Sequence, residues 1–273
     1  MNAGKSWEAR LELGFRRDGG RTILARRQHS GPLVVQRPFY PEGPTTCHVY
    51  LLHPPGGIVG GDSLSLQVEV EPGAHALLTT PAATRFYRAG PHPHATVSQS
   101  LAVQGALEWL PQETIVFDGA CARSTTRVDL AGHEARFFGW EIVCLGRPAI
   151  DEGFHGGELR QGFLLYRDGA PLLLDRLHLA GDSAALAAGW GLGGHQAMGT
   201  LLMYPARGVD TAPLRALPGD GTCHALSIVD EVLVCRALAS EAQAVRRLFT
   251  ALWLELRESL LGRAAVAPRI WAT

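Results

Sequence analysis

Between Asp62 and Glu71 the chain alternates strictly. Leu64, Leu66, Val68 and Val70 fall on one side, and Ser63, Ser65, Gln67 and Glu69 on the other. Successive side chains of a strand point to opposite faces, so a period of two means a strand with one buried and one wet face. Glu71-Pro72-Gly73 ends it with turn chemistry. The same reading gives strands over residues 9–15, 22–27 and 46–53 before this one, and over 74–80, 95–103, 106–110, 114–117, 124–130 and 135–145 after it. Residues 163–167 and 171–174 read as a hairpin across Asp168-Gly169, a favoured hairpin pair. Residues 197–204, 225–229 and 232–236 complete the set. Short strands at roughly 8–12-residue spacing predict a mainly β chain: a sandwich, a barrel or a solenoid.

One long segment has a different period. Over residues 240–261 the apolar positions are Val245, Leu248, Phe249, Leu252, Trp253, Leu256 and Leu260, which is helical spacing. Ser240 and Gln243 have the spacing of a capping box, and Gly262 is placed to end the helix. Its apolar face must cover a sheet or bind a partner helix, and covering is favoured. Arg246, Arg247, Glu255 and Arg257 are assigned to its wet face. Residues 182–190 give a second, shorter helix. No linker and no convincing repeat interrupts the chain, so residues 1–273 are read as one domain.

Composition removes several functions. With 46% hydrophobic residues the chain can form a core, and a net charge of -1 leaves no basic excess for nucleic acid. Lys5 stands alone against 24 Arg, and Arg does not deprotonate, so lysine catalysis is nearly excluded. Cys47, Cys121, Cys144, Cys223 and Cys235 are scattered, odd in number and without a Cys-x-x-Cys, which suits a reducing cytoplasm. The N-terminal residues show no secretory h-region, and no apolar stretch approaches the ~18 residues of a membrane span.

Catalytic and metal motifs are equally sparse. Gly189 to Gly194 formally contains G-x-G-x-x-G, but a helix reading precedes it and a strand follows, the reverse of a dinucleotide fold. There is no G-x-S-x-G and no H-E-x-x-H. Glu108, Glu113, Asp118 and Glu141 could supply the paired carboxylates of an all-β hydrolase, which stays open as the alternative. Cys47-His48 and Cys223-His224 cannot chelate as neighbours in a strand. His92-Pro93-His94 reads as a turn. Metal binding is therefore expected to be weak or transient, with no closed site.

The most unusual stretch is His53-Pro54-Pro55-Gly56-Gly57-Ile58-Val59-Gly60-Gly61-Asp62. Thr79-Thr80-Pro81-Ala82-Ala83-Thr84-Arg85-Phe86-Tyr87-Arg88 follows, then Leu107-Glu108-Trp109-Leu110-Pro111-Gln112-Glu113, then Trp140-Glu141-Ile142-Val143-Cys144-Leu145-Gly146-Arg147-Pro148-Ala149. In this order the four stretches resemble the urease accessory proteins of the UreD family, called UreH in some organisms. The resemblance covers residues 10 to 180 most strongly. It implies an open superhelical stack of many short β-strands with about two α-helices, the longer near the C-terminus. It implies a non-enzymatic maturation factor that binds a helical UreF-family partner and, through it, a UreG-family GTPase. That assembly would dock on apo-urease and pass nickel through an internal tunnel to the dinickel site, with no cofactor held tightly. Carried over residue by residue, Asp62, Thr80, Thr84, Glu141 and Asp175 become the polar positions of that tunnel. Family members often have Glu where this chain has Asp175. His53, Gly56, Gly57, Gly60 and Gly61 form the structural motif, and Arg147 and Glu152 fix a loop by a charge-assisted bond. A free-standing nickel store is the remaining alternative; it would bind nickel tightly.

Overall fold

The computed structural model describes residues 6–89 and 94–272. Its strands are β1 (Glu8–Asp18), β2 (Arg21–Ser30), β3 (Val34–Val35), β4 (Thr46–Leu52), β5 (Ser63–Val70), β6 (His75–Thr79), β7 (Thr84–Phe86), β8 (Ala95–Val103), β9 (Ala106–Leu110) and β10 (Thr114–Val116). They continue with β11 (Cys121–Leu130), β12 (Arg136–Leu145), β13 (Glu158–Arg167), β14 (Ala170–Ala180), β15 (Ala197–Tyr204), β16 (Thr222–Val229) and β17 (Val232–Ala239). The helices are α1 (Thr211–Arg215) and α2 (Ala242–Leu261).

These strands build two sheets. The first runs β14-β13-β11-β8-β5-β1-β2, and the second β16-β17-β15-β12-β9-β6-β4-β3. From β4 to β13 the chain alternates between them, so neighbours within a sheet are parallel. Parallel strands need a crossover, usually a helix. Here the crossover is a strand of the opposite sheet. A narrow third side runs through Ile58, β7, β10 and the end of β12. Each circuit therefore visits the second sheet, this short side and the first sheet, which is a superhelical coil of strands. Thr46, His75, Ala106 and Arg136 stack in register, about 30 residues apart. The repeat is structural: each circuit keeps the inward phase of its side chains without reusing their identities.

The alternation of β5 holds, with Leu64, Leu66, Val68 and Val70 buried between the sheets. Asp168 (φ 47) and Gly169 (φ 82) take the left-handed turn that joins β13 to β14. The second sheet is covered on its other side by α2, whose Val245, Leu248, Phe249, Leu252, Trp253, Leu256 and Leu260 are all buried. Strand β12 is consequently buried on both faces after Arg136. Gly262 ends α2 in the left-handed conformation (φ 66).

Three sequence expectations change. The capping box does not form: α2 starts at Ala242 with Glu241 at its N-cap and no side-chain cap bond. Residues 182–190 hold only a 3-10 turn, Ala184–Leu186, and the second α-helix is α1, capped by Asp210. Arg257 is fully buried, not on the wet face. His92 lies outside the described residues. None of the five cysteines is in a disulfide. Among the described residues no helix is long and apolar enough to cross a membrane.

Candidate functional site: a polar layer between the sheets

The inward positions of the first sheet are apolar along most of their length. On β8 they are Val97, Gln99, Leu101 and Val103; on β11 they are Ala122, Ser124, Thr126, Val128 and Leu130. Gln99 stands beside Thr126, and Ser124 beside Gln161 of β13. These polar residues interrupt the apolar phase over two successive inward levels. Facing them from β12 is Glu141, 8% exposed. Its Oε1 accepts a hydrogen bond from Trp109 Nε1 at 3.0 Å and from Thr126 Oγ1 at 2.6 Å. Burial pushes the Glu141 carboxyl above its ordinary range, and those two bonds oppose the shift. Among the described residues no cationic side chain is in ion-pair contact with it.

Two cavities flank this layer. The first, about 210 Å³, is lined by His53, Gly56, Thr80, Thr84, Gln99 and Glu141 among others. The second, about 390 Å³, includes Glu141, Gln161, Asp175, Thr200, Cys223 and Arg236 in its lining. Glu141 is the residue the two linings share. Asp175 accepts from Thr200 Oγ1 at 2.7 Å and from Arg236 at 3.1 Å. Thr80 Oγ1 accepts from the Gln112 amide at 2.9 Å. Thr80, Thr84, Glu141 and Asp175 are thus brought onto one pair of adjoining spaces.

Asp62 stands apart from them. It is buried, and its carboxylate accepts from the backbone amides of Trp7 at 2.8 Å and Val59 at 2.9 Å. It pins the glycine loop to the N-terminal strand and lines neither cavity. Within that loop Gly56 and Gly61 adopt positive φ, 77 and 93. A Cβ on Gly57 would lie 1.9 Å from the Tyr87 ring. Gly60 is buried beside Asp62. His53 is held below its ordinary pKa by burial, against the pull of Asp62. Arg147 and Glu152 pair through their side chains and through two backbone bonds, at 2.8 and 3.2 Å, closing the loop after β12.

A second polar cluster escaped the sequence reading. Arg257 of α2 bonds Glu108 at 2.8 Å through Nε and Glu42 at 2.7 Å through a terminal nitrogen. Glu108 also accepts from Trp253 Nε1 at 2.6 Å and lies 2.8 Å from His75 Nε2. Both Glu108 oxygens are therefore engaged, which leaves none for acid catalysis. Asp118 is likewise occupied, by the amides of His155 and Gly156 and by Arg88. His48 contacts Glu42 at 2.6 Å while Cys47 faces the core, as neighbours in a strand must. Among the described residues no three His, Cys, Asp or Glu side chains are grouped to hold a metal ion.

The chain was also compared with known proteins. The family model for the UreD urease accessory protein matches residues 8–272. A urease accessory protein UreD of Dechloromonas aromatica is 45% identical over 278 residues, covering 98% of this chain and 95% of the relative. That of Klebsiella aerogenes is 44% identical over 274 residues, 98% of each chain. That of an Azoarcus species is 44% identical over 271 residues, 98% of this chain and 94% of the relative. A match over nearly the whole length joins the coil of parallel strands to the ordered motifs along it, and the chain belongs to the UreD family of urease accessory proteins.

Proposed function

We propose that this chain is a non-catalytic factor in urease maturation that hands nickel, as cargo, through the space between its sheets toward the dinickel site of apo-urease. In this reading the two cavities are consecutive stretches of one passage. Thr80 and Thr84 line the first stretch and Asp175 the second. Glu141 is the carboxylate at the junction, and its place in both linings is the observation that carries the reading. Sparse oxygen donors suit an ion that must leave again, because a borderline metal is held tightly by closed sets of imidazole and thiolate. Asp62 and the glycine loop hold the wall in shape without touching the ion, and the Arg147–Glu152 pair does the same for the loop after β12.

The partners in this reading are a UreF-family helical protein, a UreG-family GTPase recruited through it, and apo-urease. Family membership supports this choice. The test is co-expression of the Glu141→Gln chain with the urease genes and partners at limiting nickel. Nickel per urease should fall about tenfold or more, the scale on which changes around a metal act, while the accessory complex still assembles. Fully nickel-loaded urease from that strain would overturn the proposal.

A further inference from the structure

On the second sheet the wider cavity is crossed by one polar row. Glu141 of β12 pairs in register with Thr200 of β15, Thr200 with Arg236 of β17, and Arg236 with Ala225 of β16. Neighbouring strands lie about 4.8 Å apart, so the row spans roughly 14 Å from the junction of the cavities to the edge strand of the sheet. Glu141 is buried, Thr200 half-buried, and Arg236 and Ala225 exposed, so the row leads outward to water. Asp175 meets it from β14, the edge strand of the first sheet. Its Oδ2 accepts from Thr200 Oγ1 at 2.7 Å and its Oδ1 from a terminal nitrogen of Arg236 at 3.1 Å. Each Asp175 oxygen thus has a partner from the opposite sheet, one neutral and one cationic.

We infer that Arg236 is a tethered counter-cation for Asp175, and that a divalent cation reaches this carboxylate only by displacing the guanidinium. This rests on the passage reading above and specifies its outer step. The metal and the guanidinium are both positive and compete for the same oxygen, so one replaces the other. The pair is weak enough to open. Its side chains are 55% and 26% exposed, and an ion pair so accessible to water is held by little. The Arg257–Glu108 pair, with both side chains fully buried, is instead a fixed support. Thr200 is neutral, and it keeps its hold on Oδ2 when the guanidinium swings into water. Because one cation is exchanged for another, the metal gains only the difference between the two attractions. Such a site binds weakly and releases readily, which is what cargo requires.

The experiment titrates nickel alone into the purified full-length chain, read by competition with a nickel-binding dye at low and at physiological salt. Arg236→Gln should tighten nickel binding by about fivefold, the upper end for a partly exposed ion pair, and the gain should shrink as salt is raised. Arg236→Lys keeps the charge and should stay near the unmodified chain. Adding Asp175→Asn to Arg236→Gln should remove the gain. Melting temperatures check that each variant is folded, and Arg236→Met is read if Arg236→Gln is not. Nickel bound no more tightly by Arg236→Gln than by the unmodified chain would overturn the inference. So would a gain that survives Asp175→Asn, or the absence of nickel binding in both chains. These outcomes leave the passage standing as long as Glu141→Gln impairs nickel loading of urease. Fully loaded urease with Glu141→Gln would refute the passage, whatever the titration shows of Arg236.

Discussion

Replacing Arg257 by Met should uncouple α2 from the strands beneath it. The guanidinium is fully buried against Glu108, which is also fully buried, and against Glu42, whose side chain is 4% exposed. The substitution keeps the apolar stem and removes the charge, leaving two carboxylates without their main partner. Breaking a buried ion pair from one side costs about 3–5 kcal/mol, because a charge is stranded away from water. For a chain of this size each kcal/mol lowers the melting midpoint by roughly 2–4 °C, so the fall should be roughly 6–20 °C. The assay is thermal unfolding followed by circular dichroism at pH 7. Adding Glu108→Gln to the Arg257→Met chain should recover part of the loss, and the double-mutant cycle isolates the pair. The pH dependence has a definite sign. Burial alone would raise the Glu108 carboxyl, but His75 and Arg257 outweigh it and hold it down from 4.5 to about 2. A depressed carboxylate contributes stability that is present above its unfolded value and lost as pH falls toward its folded one. Acid unfolding should therefore set in between pH 4.5 and about 2, and Arg257→Met should move it upward. A stability loss below about 1 kcal/mol, the scale of an exposed pair, would refute the claim that this cluster holds α2 down.

Two further substitutions separate packing from passage. A Cβ on Gly199 of β15 would lie 2.6 Å from the Phe249 ring and 2.7 Å from Val245 Cγ1, so Gly199→Ala should push α2 outward and cost about 1–3 kcal/mol in a denaturant titration; an unchanged midpoint would show that the helix shifts freely. Asp62→Ala removes the acceptor of the Trp7 and Val59 amides and should cost about 1–3 kcal/mol in all, yet with expression matched it should leave the nickel dependence of urease activation where it was; a shifted dependence would place Asp62 in the passage.

The period-two pattern located most strands. Those over 95–103, 106–110 and 197–204 coincide with β8, β9 and β15, because at least one face of each is buried or half-buried along its whole length. Strands β3 and β7, of two and three residues, are too short to show any period. The coil was hidden for a different reason: a circuit of about 30 residues demands an inward phase and not particular side chains, so no sequence repeat marks it. Arg257 was misplaced by sorting residues by type instead of position. It lies four residues after Trp253 and three before Leu260, on the buried stripe that helical spacing itself defines. Ser240 had a suitable neighbour in Gln243 but sits a residue too early, because the helix begins after Glu241.

The site itself was legible in a signal left unused. Once β8, β11 and β12 are phased, Gln99, Thr126 and Glu141 are polar residues at inward positions that, Ser124 apart, are otherwise filled by Val, Leu, Ala, Gly and Phe. Burying such groups is unfavourable unless each is hydrogen-bonded, and here Thr126 contacts both of the others. Stability alone would be served as well by apolar residues at all three positions, which need no partners and would close the spaces on either side. A hydrogen-bonded layer with a cavity on each side is the arrangement the proposed passage requires. Asp62 shows the contrast: it too is buried, but each of its oxygens accepts from a backbone amide and it lines neither of the two cavities.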